Sequence, residues 1–403
     1  MSSSILPKHV VAVVRHQKDP LRALEMFNSV RKEDGFKHNL VTYKCIIEKL
    51  GNHGKFEAME GVMADMRANV DNHLMEGAYV SAIRNYGKKG LIQEAVNVFE
   101  RMDFYNCEPS VLSYNAIMNI LVEYGYFNQA HKVYMRMRDT GVEPDVYTFT
   151  IRMKSFCRTN RPEVALRLLR NMPGQGCYVN AVSYCTVIGG FYESSYQFEA
   201  YELFDEMLQL GIIPNVETFN KLMHILCKKG DIRHSERLLN KVLKRGVSPN
   251  LFTVNIVIQG LCKRGLLDEA ERKFDSVTRE GLAPDVVTFN TLISGLCKNS
   301  KVLKAESYLH KMVNTGFEPD IFTYNTLIDG FCKMGMVPKA DKILKDAVHK
   351  GFMPDEFTYC SLIYGLCGDG DTDRAIAVFD EARRKVIKPS IILYNTLIKG
   401  LSQ

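Results

Sequence analysis

Apolar residues along this chain fall into short helical stripes that alternate and recur. Phe289, Leu292, Ile293, Leu296 and Cys297 stand at i, i+3, i+4, i+7 and i+8, the apolar face of one amphipathic helix. Ala305, Tyr308, Leu309 and Met312 form a second stripe after a short break. The break usually carries glycine (Gly54, Gly90, Gly125, Gly230, Gly265, Gly335 and Gly370), replaced by Asn160 once and by Ser195 and Ser300. Glycine ends helices because it adopts left-handed dihedrals at low cost. The second stripe closes at another glycine (Gly141, Gly176, Gly211, Gly246, Gly281, Gly316 or Gly351), and Pro-Asp or Pro-Asn then opens the next pair in most units. The arrangement returns every 35 residues, at Pro249-Asn250, Pro284-Asp285, Pro319-Asp320 and Pro354-Asp355. One pair of helices, each about 18 Å long, cannot enclose a core alone. The pattern therefore predicts an all-α solenoid of stacked helix-turn-helix pairs.

Counted from the first helix position, the units are 40–75, 76–110, 111–145, 146–180, 181–215, 216–250, 251–285, 286–320, 321–355 and 356–390. An irregular first repeat is expected over 4–39. Within it, Val10, Val11, Val13 and Val14 form a first stripe, and Asp19-Pro20 supplies an N-cap and first-turn proline for a second helix. The stretch 1–18 lacks acids and holds Lys8, Arg15 and Lys18 with three serines, a faint likeness to a transit peptide. Residues 391–403 read as the first helix of a further repeat, which suggests that the chain is a fragment or truncated product.

Composition narrows this only slightly. The 403 residues are 46% hydrophobic and 24% charged, ordinary for a folded protein, and no apolar run approaches a membrane span. A net charge of +6 permits a polyanionic partner without demanding one. Of 11 cysteines, Cys157, Cys227, Cys262, Cys297, Cys332 and Cys367 share one repeat position. Stacked helices lie about 8–10 Å apart and a disulfide needs Cα atoms within about 7 Å, so these read as small buried apolar side chains in a reducing compartment. No Cys-x-x-Cys pair is present, and neither metal nor cofactor is expected. His234-Ser235-Glu236 matches half of a zinc deaminase signature, but the Pro-Cys-x-x-Cys half is missing. With no Walker A loop, Gly-x-Ser-x-Gly or His-Glu-x-x-His, no enzyme is expected.

The phrases VVTFNTLISGLCK (286–298) and IFTYNTLIDGFCK (321–333), the 35-residue period and the closing Gly-x-x-Pro-Asp together resemble the pentatricopeptide repeat family, of the plant organellar RNA-binding type whose repeats are all of this one kind. The tetratricopeptide repeat, a protein-binding cousin, runs at 34 residues and favours tryptophan, which this chain lacks. The resemblance implies a right-handed superhelix that binds single-stranded RNA, reading about one base per repeat, a general property of the class. It implies a role in organellar RNA stabilisation, processing, splicing, editing or translation, in the mitochondrion or alternatively the chloroplast. Other organellar RNA-processing proteins are implied as partners, and no membrane. A protein-binding helical scaffold is the alternative.

In the family, the fifth residue of the first helix and the last residue of the repeat contact one base, and second-position residues sandwich it. The fifth-position column reads Val80, Asn115, Thr150, Cys185, Asn220, Asn255, Asn290, Asn325 and Cys360, with Asn395 in the partial unit. Asparagine is a mediocre helix former, but it presents a donor and an acceptor on a short stem. A solvated polar face, or bonds linking neighbouring helices, would also account for it. The last-position column reads Ser110, Asp145, Asn180, Asn215, Asn250, Asp285, Asp320, Asp355 and Ser390. These are all favoured N-caps, and capping alone would explain their type but not the alternation of Asp and Asn. The family's pairings assign U to Asn115/Asp145, A to Thr150/Asn180, C or U to Asn220/Asn250, and U to Asn255/Asp285, Asn290/Asp320 and Asn325/Asp355. Val80/Ser110, Cys185/Asn215 and Cys360/Ser390 stay unassigned, and the implied core is 5′-UAnYUUU-3′. The second-position column reads Leu112, Tyr147, Val182, Glu217, Phe252, Val287, Phe322 and Phe357; all but Glu217 suit base stacking, with packing between repeats the plain alternative. Lys88, Arg158, Lys228, Lys263, Lys298 and Lys333 end first helices. They suit phosphates, or equally the negative end of the helix dipole.

Overall fold

The structure is a computed structural model, and it describes residues 6–31, 36–71, 74–279, 281–385 and 391–401. Helices account for most of these, with no strand among the described residues. The chain forms two compact units, 1–205 and 206–403. In the first, α1 (Pro7–His16) and α2 (Pro20–Val30) precede α3 (Leu40–Asn52), α4 (Phe56–Asn69), α5 (Glu76–Lys88), α6 (Ile92–Phe104), α7 (Val111–Glu123), α8 (Phe127–Asp139), α9 (Val146–Arg158), α10 (Pro162–Asn171) and α11 (Ala181–Glu193). The division falls inside α12 (Gln197–Gln209). The second holds α13 (Val216–Lys229), α14 (Ile232–Leu243), α15 (Leu251–Lys263), α16 (Leu267–Arg279), α17 (Val286–Lys298), α18 (Val302–Asn314), α19 (Ile321–Lys333), α20 (Val337–His349), α21 (Glu356–Gly368), α22 (Thr372–Lys385) and α23 (Ile391–Leu401). Within each unit, every odd-numbered helix packs on the next odd-numbered one. The even-numbered helices pack against that layer as a second one. No helix among the described residues is long and apolar enough to cross a membrane.

The local chemistry explains the boundaries. Asp19 caps α2, accepting from the Leu21 amide at 2.8 Å, and Val10 and Val14 are buried on α1. The turns between paired helices need a left-handed residue, and Asn160, Ser195 and Ser300 adopt it at φ of 57°, 68° and 61° where other units use glycine. Asn106 does the same at 50° in the turn that closes the 76–110 unit. For an L-residue this conformation costs about 1–2 kcal/mol, which the packing of two helices per turn outweighs.

Consecutive first helices approach most closely at one repeated point. The residue near the end of one helix meets the tenth residue of the next, and one of the two is small. A Cβ on Gly260 would lie 2.7 Å from Cys227 Cβ, and one on Gly365 2.7 Å from Cys332 Cβ. Cys157 faces Gly190, and Cys262 faces Gly295, in the same way. In α5 the sizes are exchanged: a Cβ on Gly87 would lie 2.6 Å from Ile120 Cδ1. The repeated cysteines are thus half of a size-matched contact. All eleven thiols are free, and burial pushes Cys262 up to about 11 and Cys297 up to about 12. Cys177, Cys297 and Cys360 are only half-buried, unlike the other eight.

On the outer layer, ion pairs link second helices of successive repeats: Arg31–Asp65 at 2.5 Å, Arg136–Asp103, Lys311–Asp275 at 2.7 Å, Lys339–Glu306 at 3.3 Å and Arg374–Asp341 at 2.5 Å. Exposed pairs of this kind contribute about 0–1 kcal/mol each, so packing between the first helices decides the stacking.

That contact can be tested at Gly295. Replacing a helical glycine with alanine gains about 1 kcal/mol in propensity, whereas crowding a closed contact costs about 1–3 kcal/mol. With Cys262 Cβ 2.6 Å from the new methyl, crowding wins. Gly295→Ala is expected to lower the thermal midpoint, and adding Cys262→Gly to restore part of the loss. A double-mutant cycle should read a favourable coupling of about 0.5–3 kcal/mol; strictly additive effects would mean the two helices do not meet there.

Candidate nucleic-acid interface

The last-position residues do cap the first helices, and they do more. Asp145, Asn180, Asn215, Asn250, Asp285, Asp320 and Asp355 each accept from the backbone amide three residues on, at 2.7–3.0 Å. Ser110 Oγ accepts from the Leu112 amide at 3.2 Å. Four of them also hold the fifth residue of the preceding helix. Asn115 Nδ2 donates to Asp145 Oδ1 at 3.0 Å, Asn290 Nδ2 to Asp320 Oδ1 at 3.1 Å, Asn325 Nδ2 to Asp355 Oδ1 at 3.1 Å, and Asn220 Nδ2 to Asn250 Oδ1 at 3.4 Å. A threonine closes each ring: Thr148, Thr323, Thr358 and Thr253 donate Oγ1 to the same asparagine Oδ1 at 2.6–2.7 Å.

This accounts for an asparagine that is only 4–8% exposed across the column, since a buried amide needs partners. Counting atoms identifies what stays available. The Asn290 oxygen is occupied and one of its two amide protons is used. Asp320 Oδ1 takes the cap bonds, while Oδ2 accepts only from Asn290 at 3.3 Å. One N–H and one carboxylate oxygen therefore remain side by side. Burial would raise the Asp320 carboxyl, but bonds from Thr323 and Asn290 outweigh it and hold it below the usual carboxylate range, so the oxygen is ionised and accepting at neutral pH.

The other fifth positions differ. Asn255 Oδ1 is buried without a partner and no bond joins Asn255 to Asp285; Thr288 Oγ1 bonds only Asp285, at 2.7 Å. Thr150 Oγ1 donates to its own helix at Val146 O. Val80 and Cys185 are buried, and burial pushes the Cys185 thiol up to about 12. Cys360 is half-buried. Its expected partner, Ser390, lies outside the described residues.

Second-position side chains point into solvent. Leu112, Tyr147, Val182, Phe252, Val287, Phe322 and Phe357 are 46–61% exposed. Glu217 is exposed and pairs with Lys221 at 2.8 Å on its own helix. In the second unit, Val287, Phe322, Asn290, Asp320, Lys263 and Lys298 line one recess of about 590 Å³. In the first, Tyr147 lines a recess of about 490 Å³ with Arg84, Lys88 and Glu123.

The basic column divides. Lys228, Lys263 and Lys298 are exposed, with no ion pair to any of them among the described residues. Arg158 instead caps α7, donating to the Val122 and Glu123 carbonyls at 2.8 and 2.9 Å and pairing with Glu123 at 2.7 Å. Lys333 pairs with Asp329 at 2.7 Å, and Lys88 donates to Asn52 at 3.2 Å. Asp329 sits one turn before Lys333 on the same helix, a signal the sequence offered, whereas Glu123 lies on α7, the first helix before that of Arg158. Of the deaminase-like triplet, Ser235 is buried on α14 with its hydroxyl on Ile232 O, and His234 meets Asp231 at 2.7 Å.

Comparison with known proteins gives one consistent result. A family model described as PPR repeat family matches residues 109–158, 214–263, 249–298, 284–333 and 319–368. One described as pentatricopeptide repeat domain matches 77–124 and 167–229, and one described as PPR repeat matches 41–69, 147–177 and 357–387. A putative pentatricopeptide repeat-containing protein of Arabidopsis thaliana is 69% identical over 132 residues, covering 33% of this chain and 17% of the relative. Another from that plant, named as mitochondrial, is 31% identical over 172 residues, covering 42% and 32%. The chain thus spans less than a third of the length of either. Among solved structures, yeast Rmd9p in complex with a 16-nucleotide target RNA has a TM-score of 0.52 at 12% identity, covering 93% of this chain and 79% of that one, a likeness of fold.

The threonine bridge has a measurable weight. Thr358→Val removes the donor to buried Asn325 Oδ1, and an unsatisfied buried acceptor costs about 1–3 kcal/mol. Thr288→Val removes a bond to Asp285 alone. Thermal unfolding should show the larger drop for Thr358→Val; equal drops would mean that Asn325 gains nothing from the ring.

Proposed function

The chain belongs to the pentatricopeptide repeat family, and from that premise we propose that it binds single-stranded RNA sequence-specifically, about one nucleotide per repeat. The observation that carries this reading is that one recess is lined by an amide with an unused N–H, a carboxylate oxygen with room for a further donor, and exposed apolar side chains. Uracil displays a carbonyl oxygen beside an N–H, the complement of the free Asn290 proton and Asp320 Oδ2. Cytosine displays a bare ring nitrogen where uracil has N–H, which would face the carboxylate oxygen in repulsion. Where Asn250 replaces the aspartate, its amide can donate instead, in keeping with the looser assignment of C or U at Asn220/Asn250. Guanine shares the uracil pattern, so its exclusion falls to the length of asparagine at the fifth position. Val287 and Phe322 would stack on the base faces, worth about 1–3 kcal/mol per base in other systems.

On this reading Asn115/Asp145 and Thr150/Asn180 take U and A, and the four pairs from Asn220/Asn250 to Asn325/Asp355 take Y, U, U and U, giving 5′-UAnYUUU-3′ in the family's parallel orientation. Lys228, Lys263 and Lys298 are the better phosphate partners; Arg158 and Lys333 are already engaged. The setting proposed is an organelle, the mitochondrion first, since a relative is named for it. There the bound RNA would be shielded or kept from pairing with itself during stabilisation, processing, splicing, editing or translation. As a helical-repeat module the chain acts by binding, without chemistry of its own. A protein-binding scaffold finds less support, because a protein groove has no need for polar pairs in register.

Competition binding tests it directly. RNA containing 5′-UAnYUUU-3′ should bind at least tenfold tighter than the same RNA with its U run replaced by G, and equal binding refutes the reading. Asn325→Thr should move the preference at a single nucleotide from U to G; uniform loss without a change of preference would argue against base reading there. Each phosphate neutralised contributes about 0.7 to the slope of log affinity against log salt. Lys298→Ala should therefore flatten that slope by about 0.7, and Arg158→Ala by less.

A further inference from the structure

One arginine occupies a place where this chain otherwise buries hydrocarbon. Arg152 is the seventh residue of α9. In every other unit from 40–75 to 356–390 the seventh residue of the first helix is aliphatic and almost fully buried, as at Ile46, Ile117, Val257 and Leu327. Arg152 is partly buried there, and no carboxylate pairs with it among the described residues. Its guanidinium lies 3.8 Å from the centre of the Tyr134 ring and 5.7 Å from that of Phe156. The Arg161 guanidinium also lies over the Phe156 ring, 5.3 Å from its centre. Burial pushes the Arg152 pKa down; the Tyr134 phenol opposes this, and neighbouring Arg138 adds to it. Contact with two aromatic faces returns only part of what withdrawing this cation from water costs.

These groups open on one recess of about 200 Å³ between α8, α9 and the start of α10, with Met118 and Val122 of α7 at its wall and Asn128, His131, Ser155 and Thr159 among its polar lining. No acidic residue lines it. Its volume is below the roughly 300–1,000 Å³ of pockets for drug-sized ligands. Two residues along a helix is a turn of about 200°, so Arg152 lies on the opposite face of α9 from Thr150. RNA lying along the fifth-position column would not reach it.

We infer that the recess between α8, α9 and α10 binds a small oxyanion, a free phosphate or short carboxylate, with Arg152 as its principal ligand and Arg161 as the second cation. The aromatic rings of Tyr134 and Phe156 hold the guanidinium plane in place. Asn128, Ser155 and Thr159 supply polar neighbours for the remaining oxygens. The site is independent of RNA recognition and would stabilise the first unit when occupied.

The test uses the full chain and Arg152→Leu, which restores the kind of residue the other repeats carry and is expected to fold. Thermal midpoints are measured in inorganic phosphate, in acetate, and in chloride at matched ionic strength. Phosphate or acetate should raise the midpoint of the original chain by about 2–4 °C beyond the rise in Arg152→Leu, and the arm with the larger differential identifies the oxyanion. Identical shifts in both proteins would reduce the effect to general salt exclusion and overturn the site. Binding of the 5′-UAnYUUU-3′ RNA should be unchanged in Arg152→Leu. A loss there of more than tenfold would assign Arg152 to the RNA surface and equally overturn the proposal.

Discussion

Everything regular in these two units depends on how closely one first helix can lie against the next. The limit is set at a single contact, where a residue near the end of one helix meets the tenth residue of its neighbour. Side chains of ordinary size at both places would push the helices apart. The chain answers with complementary volumes: cysteine against Gly190, Gly260, Gly295 or Gly365, and the reverse at Gly87 against Ile120. A helical glycine costs about 1 kcal/mol relative to alanine, and it recurs because the close approach returns more in packing. The spacing of the fifth-position column follows from this contact, since that column rides on the same helices.

The second dependence is polar. Stacking delivers the threonine of one repeat to the asparagine of the repeat before it, so the Asn–Thr–Asp ring exists only between neighbours. The aspartate serves as cap with one oxygen and offers the other outward. Capping occupies one oxygen of this side chain and leaves the other facing outward, so the cap and the proposed base contact do not compete for the same atom. The ring also fixes which amide atoms face outward, because threonine occupies the oxygen. Asn255 marks the boundary of this logic: its residues match those of Asn290 and Asn325, yet its oxygen has no partner.

Much of this was legible in sequence. The 35-residue period, the helix pairs, the caps and the left-handed turns at Asn160, Ser195 and Ser300 each rest on interactions within a few residues, which a sequence displays directly. What escaped depends on contacts about 33 to 37 residues apart. The cysteine column was visible, but not that its partner is a glycine on the next helix. Arg158 reads as a free cation until its guanidinium is found on the carbonyls of α7. The division at residue 205 left no mark in the period, because local repeat signals say nothing of long-range compactness. Arg152 was visible in principle, since it breaks an apolar column, but only the recess around it gives the break a meaning.

The arrangement of polarity at the interface is the reverse of ordinary burial. Asparagines are enclosed, while Phe252, Phe322 and Phe357 stand more than half exposed on the same helices. Scattered exposed apolar residues need no explanation, but these recur at one helical position in successive repeats. Burying a phenyl ring is worth about 1.5–3 kcal/mol, and a solenoid with neighbouring helices in reach could have claimed it. It does not, and Phe322 lines the same recess as Asn290 and Asp320. A planar, partly apolar ligand with a hydrogen-bonding edge satisfies both halves of that surface at once. A peptide would satisfy the rings and leave the ionised Asp320 oxygen buried against whatever side chain came to lie there.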